Sequence, residues 1–242
     1  PFKRLLLGFP WIGVVAVLAA AGWVLRGPGL ALLVAALSFL VAATGQWEKA
    51  MITTYLCGIS VLFATLLGTP IGILAAEKER LWRVVQAAID TLQTLPSFVY
   101  LMPAVMLFRV GDFTAMIAVI AYALAPAIRY TAHGLQQVDP RLVEAGRAAG
   151  CTPLQLLTKI RLRLALPEIM LGINQTIMLA LSMLVITALV GTRDLGQEVY
   201  IALTKADTGR GIVAGLAVAF IAIIADRLIS AAALRMRRNL GL

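Results

Sequence analysis

Residues 144–167, EAGRAAGCTPLQLLTKIRLRLALP, form a polar, basic island punctuated by Gly and Pro between long apolar runs. Each half carries the start and stop signals of a short helix. Asp139 is a good N-cap, Pro140 suits the first helical position, and Gly150 suits the residue just past the end. Thr152 and Pro153 repeat the start signal, which predicts a second helix running toward Leu166, ahead of Pro167. Two short helices joined at Gly150 make a compact knuckle. The alternative is an ordinary solvated loop, but long connections are usually functional, so the island reads as a place where something docks.

Working outward, 61% of the residues are hydrophobic and only 14% charged. Such a composition excludes an ordinary soluble domain and marks an integral membrane protein of all-α class, a polytopic helical bundle. The chain opens on Pro1 rather than Met. It is therefore expected to be a fragment lacking its native N-terminus, and nothing at its start reads as a cleavable signal peptide. A span needs about 20 apolar residues, which predicts about seven, near 10–25, 30–44, 51–76, 84–108, 112–133, 168–191 and 211–233. The first two are short, and interfacial segments or a tight hairpin turning at Gly27-Pro28-Gly29 are alternatives. Gln46-Trp47-Glu48-Lys49 reads as an interfacial step with Trp at headgroup level. The expected division is an N-terminal accessory and interfacial part, 1–50, and a core, 51–242, carrying the knuckle at 139–167.

Charge bias orients the spans. With the C-terminus inside, the inner segments hold Arg26, Lys78, Arg80, Arg83, Arg129, Arg141, Arg147, Lys159, Arg161, Arg163, Arg235, Arg237 and Arg238. The outer ones hold Lys3, Arg4, Lys49, Arg109, Arg193, Lys205 and Arg210. The excess places knuckle and C-terminus in the cytoplasm; Lys3 and Arg4 run against it. The net charge of +9 is read as a topology signal and an attraction to anionic membrane lipid, not as a nucleic-acid footprint.

Catalysis fails on inventory, and no catalytic residue is assigned. One His, His133, near a span end, builds no zinc site, and the two cysteines lack metal-type spacing, so no metal is expected. Cys57 falls within a span and Cys151 in the knuckle, which argues against a disulfide. No GxxxxGK[ST] phosphate loop occurs, so ATP, if used, is hydrolysed on another chain.

Two polar features interrupt the apolar runs. Between Asp90 and Pro103 lie two prolines seven residues apart, with a polar cluster beside the first. Read as one helix, 84–108 puts Gln93, Ser97 and Tyr100 on one face. Proline in a span frees a carbonyl and is tolerated where protein or a watery cavity re-satisfies it. Gln93, Thr94, Pro96, Ser97, Phe98 and Tyr100 are thus candidates for a transport pathway, with a structural kink as the alternative. Asn174, Gln175, Met178 and Ser182 form a second candidate lining, although such amides also bond neighbouring helices. Gly68 with Gly72, and Gly211 with Gly215, are spaced for close helix approach. Arg129, Glu168 and Asp226 are placed near inner span ends, with no deeply buried proton relay among them.

The island resembles the EAA loop of ABC-transporter permeases, which reads Glu-Ala-Ala, then Gly, then Ile-x-Leu-Pro. Glu144, Ala145, Gly146, Gly150, Ile160 and Leu162 fill those positions; Gly146 replaces an Ala, and Arg163 a Pro, which should let the second helix run longer. Longer strings, Gln93-Thr-Leu-Pro-Ser-Phe-Val-Tyr-Leu-Met-Pro-Ala-Val-Met-Leu-Phe108 and Gly172-Ile-Asn-Gln-Thr-Ile-Met-Leu-Ala-Leu-Ser-Met183, are similar to the permease subunits of glycine betaine/proline betaine importers. The similarity covers about residues 47–232. Arg109 stands where such permeases usually carry Gly, and Gly191-Thr-Arg-Asp-Leu-Gly196 replaces a more glycine-rich turn.

That resemblance implies a type I ABC importer permease fold and a bacterial inner-membrane location. It implies a homodimer, two ATPase subunits that carry ATP and Mg, and an extracytoplasmic substrate-binding protein; the chain itself holds no cofactor. Glu144, Ala145, Gly146, Arg147, Gly150 and Thr152 would couple to the ATPase, with Glu144 orienting the knuckle. The implied cargo is a small methylated amine such as glycine betaine, proline betaine, choline or trimethylamine N-oxide. An ion-coupled secondary transporter or channel, and a structural or signalling subunit, are the competing classes; the first leaves the knuckle without a purpose.

Overall fold

Backbone N–H and C=O groups find no water in a bilayer core, so a spanning segment must close its hydrogen bonds internally. The computed structural model describes residues 8–239, and among them every regular element is a helix. Lys3 and Arg4, the charges that ran against the expected orientation, lie outside the described residues.

Helices α1 (Trp11–Arg26) and α2 (Pro28–Ala43) form a hairpin. It turns at Gly27, whose φ of +97° suits glycine, and Pro28 opens α2. Each has 16 residues, or about 24 Å of helix, short of the roughly 30 Å of a hydrocarbon core. The hairpin packs through Leu30 and Val34 against Ile224 and Ala231.

Helices α3 (Trp47–Glu77) and α6 (Asp112–Gln136) are long and apolar enough to cross a membrane, and so are α8 (Pro153–Val190) and α10 (Thr208–Asn239). The segment 84–108 is not the single span expected. It belongs to α4 (Glu79–Thr94) and α5 (Ser97–Phe108), which meet at 92° and make a fifth crossing only if counted together. Pro96 causes the break. It has no N–H to continue α4, and it drives Leu95 into the extended region, at φ −70° and ψ 135°.

A second expectation is also corrected. The second knuckle helix does not stop ahead of Pro167 but continues through it as α8, by way of a six-residue π segment at Leu156–Arg161. Tertiary packing overrides the local stop signal: Ala165, Pro167, Ile169 and Gly172 are all buried.

Helix α6 is the hub, gripped by α3 on one side and α8 on the other. A Cβ on Gly68 would lie 2.7 Å from Ala127 Cβ, one on Gly72 2.7 Å from the Ile128 carbonyl, and one on Gly172 2.6 Å from Tyr130 Cβ. In lipid no hydrophobic drive separates helix from solvent, so this close approach supplies the packing energy. The core it creates includes Leu56, Val119, Met183 and Leu184. Gly211 and Gly215 do not repeat the pattern: a Cβ on Gly211 would lie 3.4 Å from Ala202 Cβ, an ordinary contact, and one on Gly215 would meet nothing within 4 Å.

Candidate functional site

The knuckle consists of α7 (Pro140–Ala148) and the first turns of α8. Asp139 caps α7 by accepting from the Arg141 amide at 2.9 Å. Thr152 and Gln155 form a reciprocal capping box at 2.9 and 3.4 Å. Between them Gly150 adopts φ +79° and reverses the chain. Gly146 is the buried contact of the pair: a Cβ there would fall 2.5 Å from Ile160 Cδ1 and 2.7 Å from Leu156 Cδ2. Its burial turns Glu144, Ala145 and Arg147 outward, and all three are exposed.

An ion pair missed by sequence reading ties the knuckle to the spans. Arg161, in the π segment, pairs with Glu77 at the end of α3 and also donates to the Leu135 carbonyl of α6 at 3.5 Å. A cleft of about 340 Å³ opens here, lined by Glu77, Arg147, Leu154 and Arg161 among others. His133 is exposed near the end of α6 and contacts Gln137 at 2.7 Å. Both cysteines are free.

The proposed pathway residues fall into three groups. At the α4–α5 elbow, Gln93 no longer shares a helical face with Ser97 and Tyr100. It accepts from Arg129 of α6 at 2.7 Å, and the same guanidinium pairs with Asp90. Across the break, the Tyr100 hydroxyl donates to the Leu92 carbonyl, which also accepts the Leu95 amide at 3.2 Å because Pro96 offers it no N–H. The Tyr100 ring meets Tyr122 edge-on at 5.5 Å. Thr94, Pro96 and Phe98 are exposed, and Ser97 is half-buried.

The second group, Gln175, Met178 and Ser182, runs down one face of α8; Gln175 and Ser182 are exposed and Met178 half-buried. Polar groups open along a spanning helix call for a wet cavity or another protein surface beside them. Asn174 lies apart. It is buried against α10, where its Nδ2 donates to Asp226 at 2.7 Å.

At the far end of α8 from the knuckle sits helix α9 (Leu195–Thr204). Its Leu195 amide donates to Thr53 Oγ1 at 3.0 Å. A Cβ on Gly196 would lie 2.7 Å from the Leu184 carbonyl. Glu198, with 3% of its side chain exposed, pairs with Lys49 at the start of α3 and with Arg210 at the start of α10, the latter at 2.6 Å. Asp194 caps α9 by accepting from the Gln197 amide at 3.3 Å and the Thr192 hydroxyl at 3.1 Å. Burial pushes its carboxyl above the usual range, against the pull of those bonds. Sequence reasoning missed these carboxylates because Glu198 finds its cationic partners on other helices.

Residues 68–238 match the family described as binding-protein-dependent transport system inner membrane component. The chain belongs to that family. Within it, the chain is 40% identical over 230 residues to the glycine betaine/proline betaine transport system permease protein ProW of Escherichia coli (strain K12), covering 95% of this chain and 65% of ProW. Identity is 43% over 223 residues to the glycine betaine transport system permease protein OpuAB of Bacillus subtilis (strain 168), covering 92% of this chain and 79% of OpuAB. The trimethylamine N-oxide transport system permease protein TmoV of Ruegeria pomeroyi is 40% identical over the whole of this chain, which spans 37% of TmoV. The chain thus spans less than two thirds of ProW and of TmoV. Its fold superposes on a chain of the inward-facing MetNI methionine ABC transporter with a TM-score of 0.70 at 21% identity, covering 84% of this chain and 96% of that one. The chain therefore has the type I ABC importer permease fold.

Proposed function

We propose that this chain is the membrane-spanning permease subunit of an ATP-driven bacterial importer of small methylated amines. Its cargo class is that named for the relatives, glycine betaine, proline betaine or trimethylamine N-oxide, with choline chemically equivalent in its quaternary nitrogen. Two copies enclose the pathway in the inner membrane. A separate ATPase, carrying ATP and Mg, docks under each knuckle on the cytoplasmic side, and a binding protein delivers solute from outside.

The observation that carries this reading is the knuckle itself. Both of its helices are N-capped, it exposes Glu144 and Arg147, and it is joined to α3 and α6 through Arg161. ATPase closure shifts the spans only if the two permease states contact the ATPases differently. A rigid docking element continuous with α8 meets that requirement: movement of the knuckle is movement of the α8 helix that carries Gln175, Met178 and Ser182. Glu144 orients the contact, Ala145 and Gly146 permit close packing, and Arg147, Gly150 and Thr152 hold its shape. The elbow residues Gln93 through Tyr100 line the route for solute, where aromatic faces of Phe98 and Tyr100 attract a methylated cation by about 0.5–2 kcal/mol each.

Affinity purification from mild-detergent membranes, wild type beside Glu144→Arg, tests the proposal. An ABC ATPase captured by the wild type and lost by the variant is the expected result. Well-folded protein that captures no ATPase in either form would sink it in favour of an ion-coupled transporter or channel.

A further inference from the structure

A basic pocket of about 450 Å³ opens between the last turn of α1 and the last turns of α10, lined by Leu25, Arg26, Ala231, Leu234, Arg235 and Arg238. Arg235 Nη1 donates to the Val24 carbonyl at 2.6 Å, which seats that guanidinium on the C-terminal end of α1. Three arginines from two helices therefore converge, and among the described residues no carboxylate lines the pocket. The next arginine, Arg237, is treated differently: it lines a separate cavity with Asp139 and Glu168 beside the knuckle. Its charge has acidic neighbours, and the neighbourhood fixes the basic pocket on the knuckle face of the membrane.

Positive charge at the end of α10 also answers the helix macrodipole and the topology rule. Neither requires Arg26 of a different helix to face the same cavity. Like charges brought together without a counterion repel, and an anion in the pocket relieves that repulsion. Its remaining wall, Leu25, Ala231 and Leu234, is apolar and continues into the packing of α1, α2 and α10. Phosphate at the mouth and hydrocarbon beyond is the chemistry of a phospholipid, and basic pockets between helices at a membrane face are suited to anionic headgroups.

We infer that Arg26, Arg235 and Arg238 bind the phosphate of an anionic phospholipid, clamping the N-terminal hairpin to α10. The site is independent of the coupling and pathway residues, so it stands or falls apart from the transport reading.

The test is native mass spectrometry of the purified full chain in detergent, titrated with phosphatidylglycerol, phosphatidylcholine or inorganic phosphate. Phosphatidylglycerol should bind more tightly than phosphatidylcholine. Arg26→Gln and Arg238→Gln should each weaken it about five-fold, and the pair about 25-fold. Arg26→Lys should retain most of the affinity, which separates lost charge from lost folding. Arg80→Gln, an exposed arginine at the start of α4, should change nothing. Equal binding of the two lipids, or an equal loss in Arg80→Gln, would overturn the site in favour of diffuse attraction. Displacement of the lipid by inorganic phosphate at comparable concentration would overturn the lipid as occupant.

Discussion

Replacing Glu198 by Gln should cost about 3 kcal/mol of stability, more than removal of either of its partners. At an effective dielectric of about 20, unit charges about 4 Å apart attract by about 4 kcal/mol, and Glu198 faces two cations. Burying its carboxylate costs several kcal/mol, and Lys49 and Arg210 repel each other, so the net is far below the sum. Removing one member of a buried pair nevertheless costs about 3–5 kcal/mol, because it strands the rest. The two cations are about a third exposed, at 35% and 33%. Deleting either leaves Glu198 with the other, at about 1 kcal/mol each. At roughly 2–4 °C per kcal/mol for a chain of this size, Glu198→Gln should lower the melting temperature in detergent by about 6–12 °C, and Lys49→Gln or Arg210→Gln by about 2–4 °C. Intrinsic-fluorescence melting of the three variants, with Glu198→Gln combined with each cation deletion, reads both size and coupling. A shift of less than about 2 °C for Glu198→Gln, or simple additivity, would refute the claim that this carboxylate holds α9 to α3 and α10.

Gly72→Ala should destabilise by about 1–3 kcal/mol, since the new Cβ meets the Ile128 backbone carbonyl and Thr131 Cβ. Gly146→Ala, which meets only the terminal methyls of Ile160 and Leu156, should stay within about 1 kcal/mol of wild type, with helix propensity in its favour; equal melting losses would contradict the packing argument. Glu77→Arg or Arg161→Glu should lower ATP-driven uptake in vesicles while ATPase capture persists, and the double exchange should restore uptake. Failure of that rescue would detach the pair from coupling. Tyr100→Phe removes the hydroxyl bond to Leu92 at a cost of about 1 kcal/mol and should leave solute selectivity intact, whereas Tyr100→Ala also removes the ring. Unchanged competition between glycine betaine and choline in the Ala variant would remove Tyr100 from the pathway.

What the sequence revealed and what it hid divide by distance along the chain. Asp139, Gly150, Thr152 and Pro153 announce the knuckle because capping is settled within four residues, and the structure places each cap where the local chemistry asks for it. Pro96 was visible as a disturbance, but whether it kinks a span or breaks it depends on partners for the freed groups. The freed Leu92 carbonyl takes the Tyr100 hydroxyl across the break, while Arg129 of another helix holds the elbow through the side chains of Gln93 and Asp90. Pro167 misled for the complementary reason: an identical local signal is overruled because its neighbours are buried against α6, where Gly134 and Glu168 touch. Ionic partners were least legible. Lys49 and Glu198 are 149 residues apart, and Glu77 and Arg161 are 84 apart, so each charge reads alone as an interfacial residue. The coupling surface can therefore be named from a short string, while its mechanical connection to the spans cannot. The first is a property of one helix and its caps, the second of where α3, α6 and α8 meet, and small residues spaced along α3 and α8 decide that meeting.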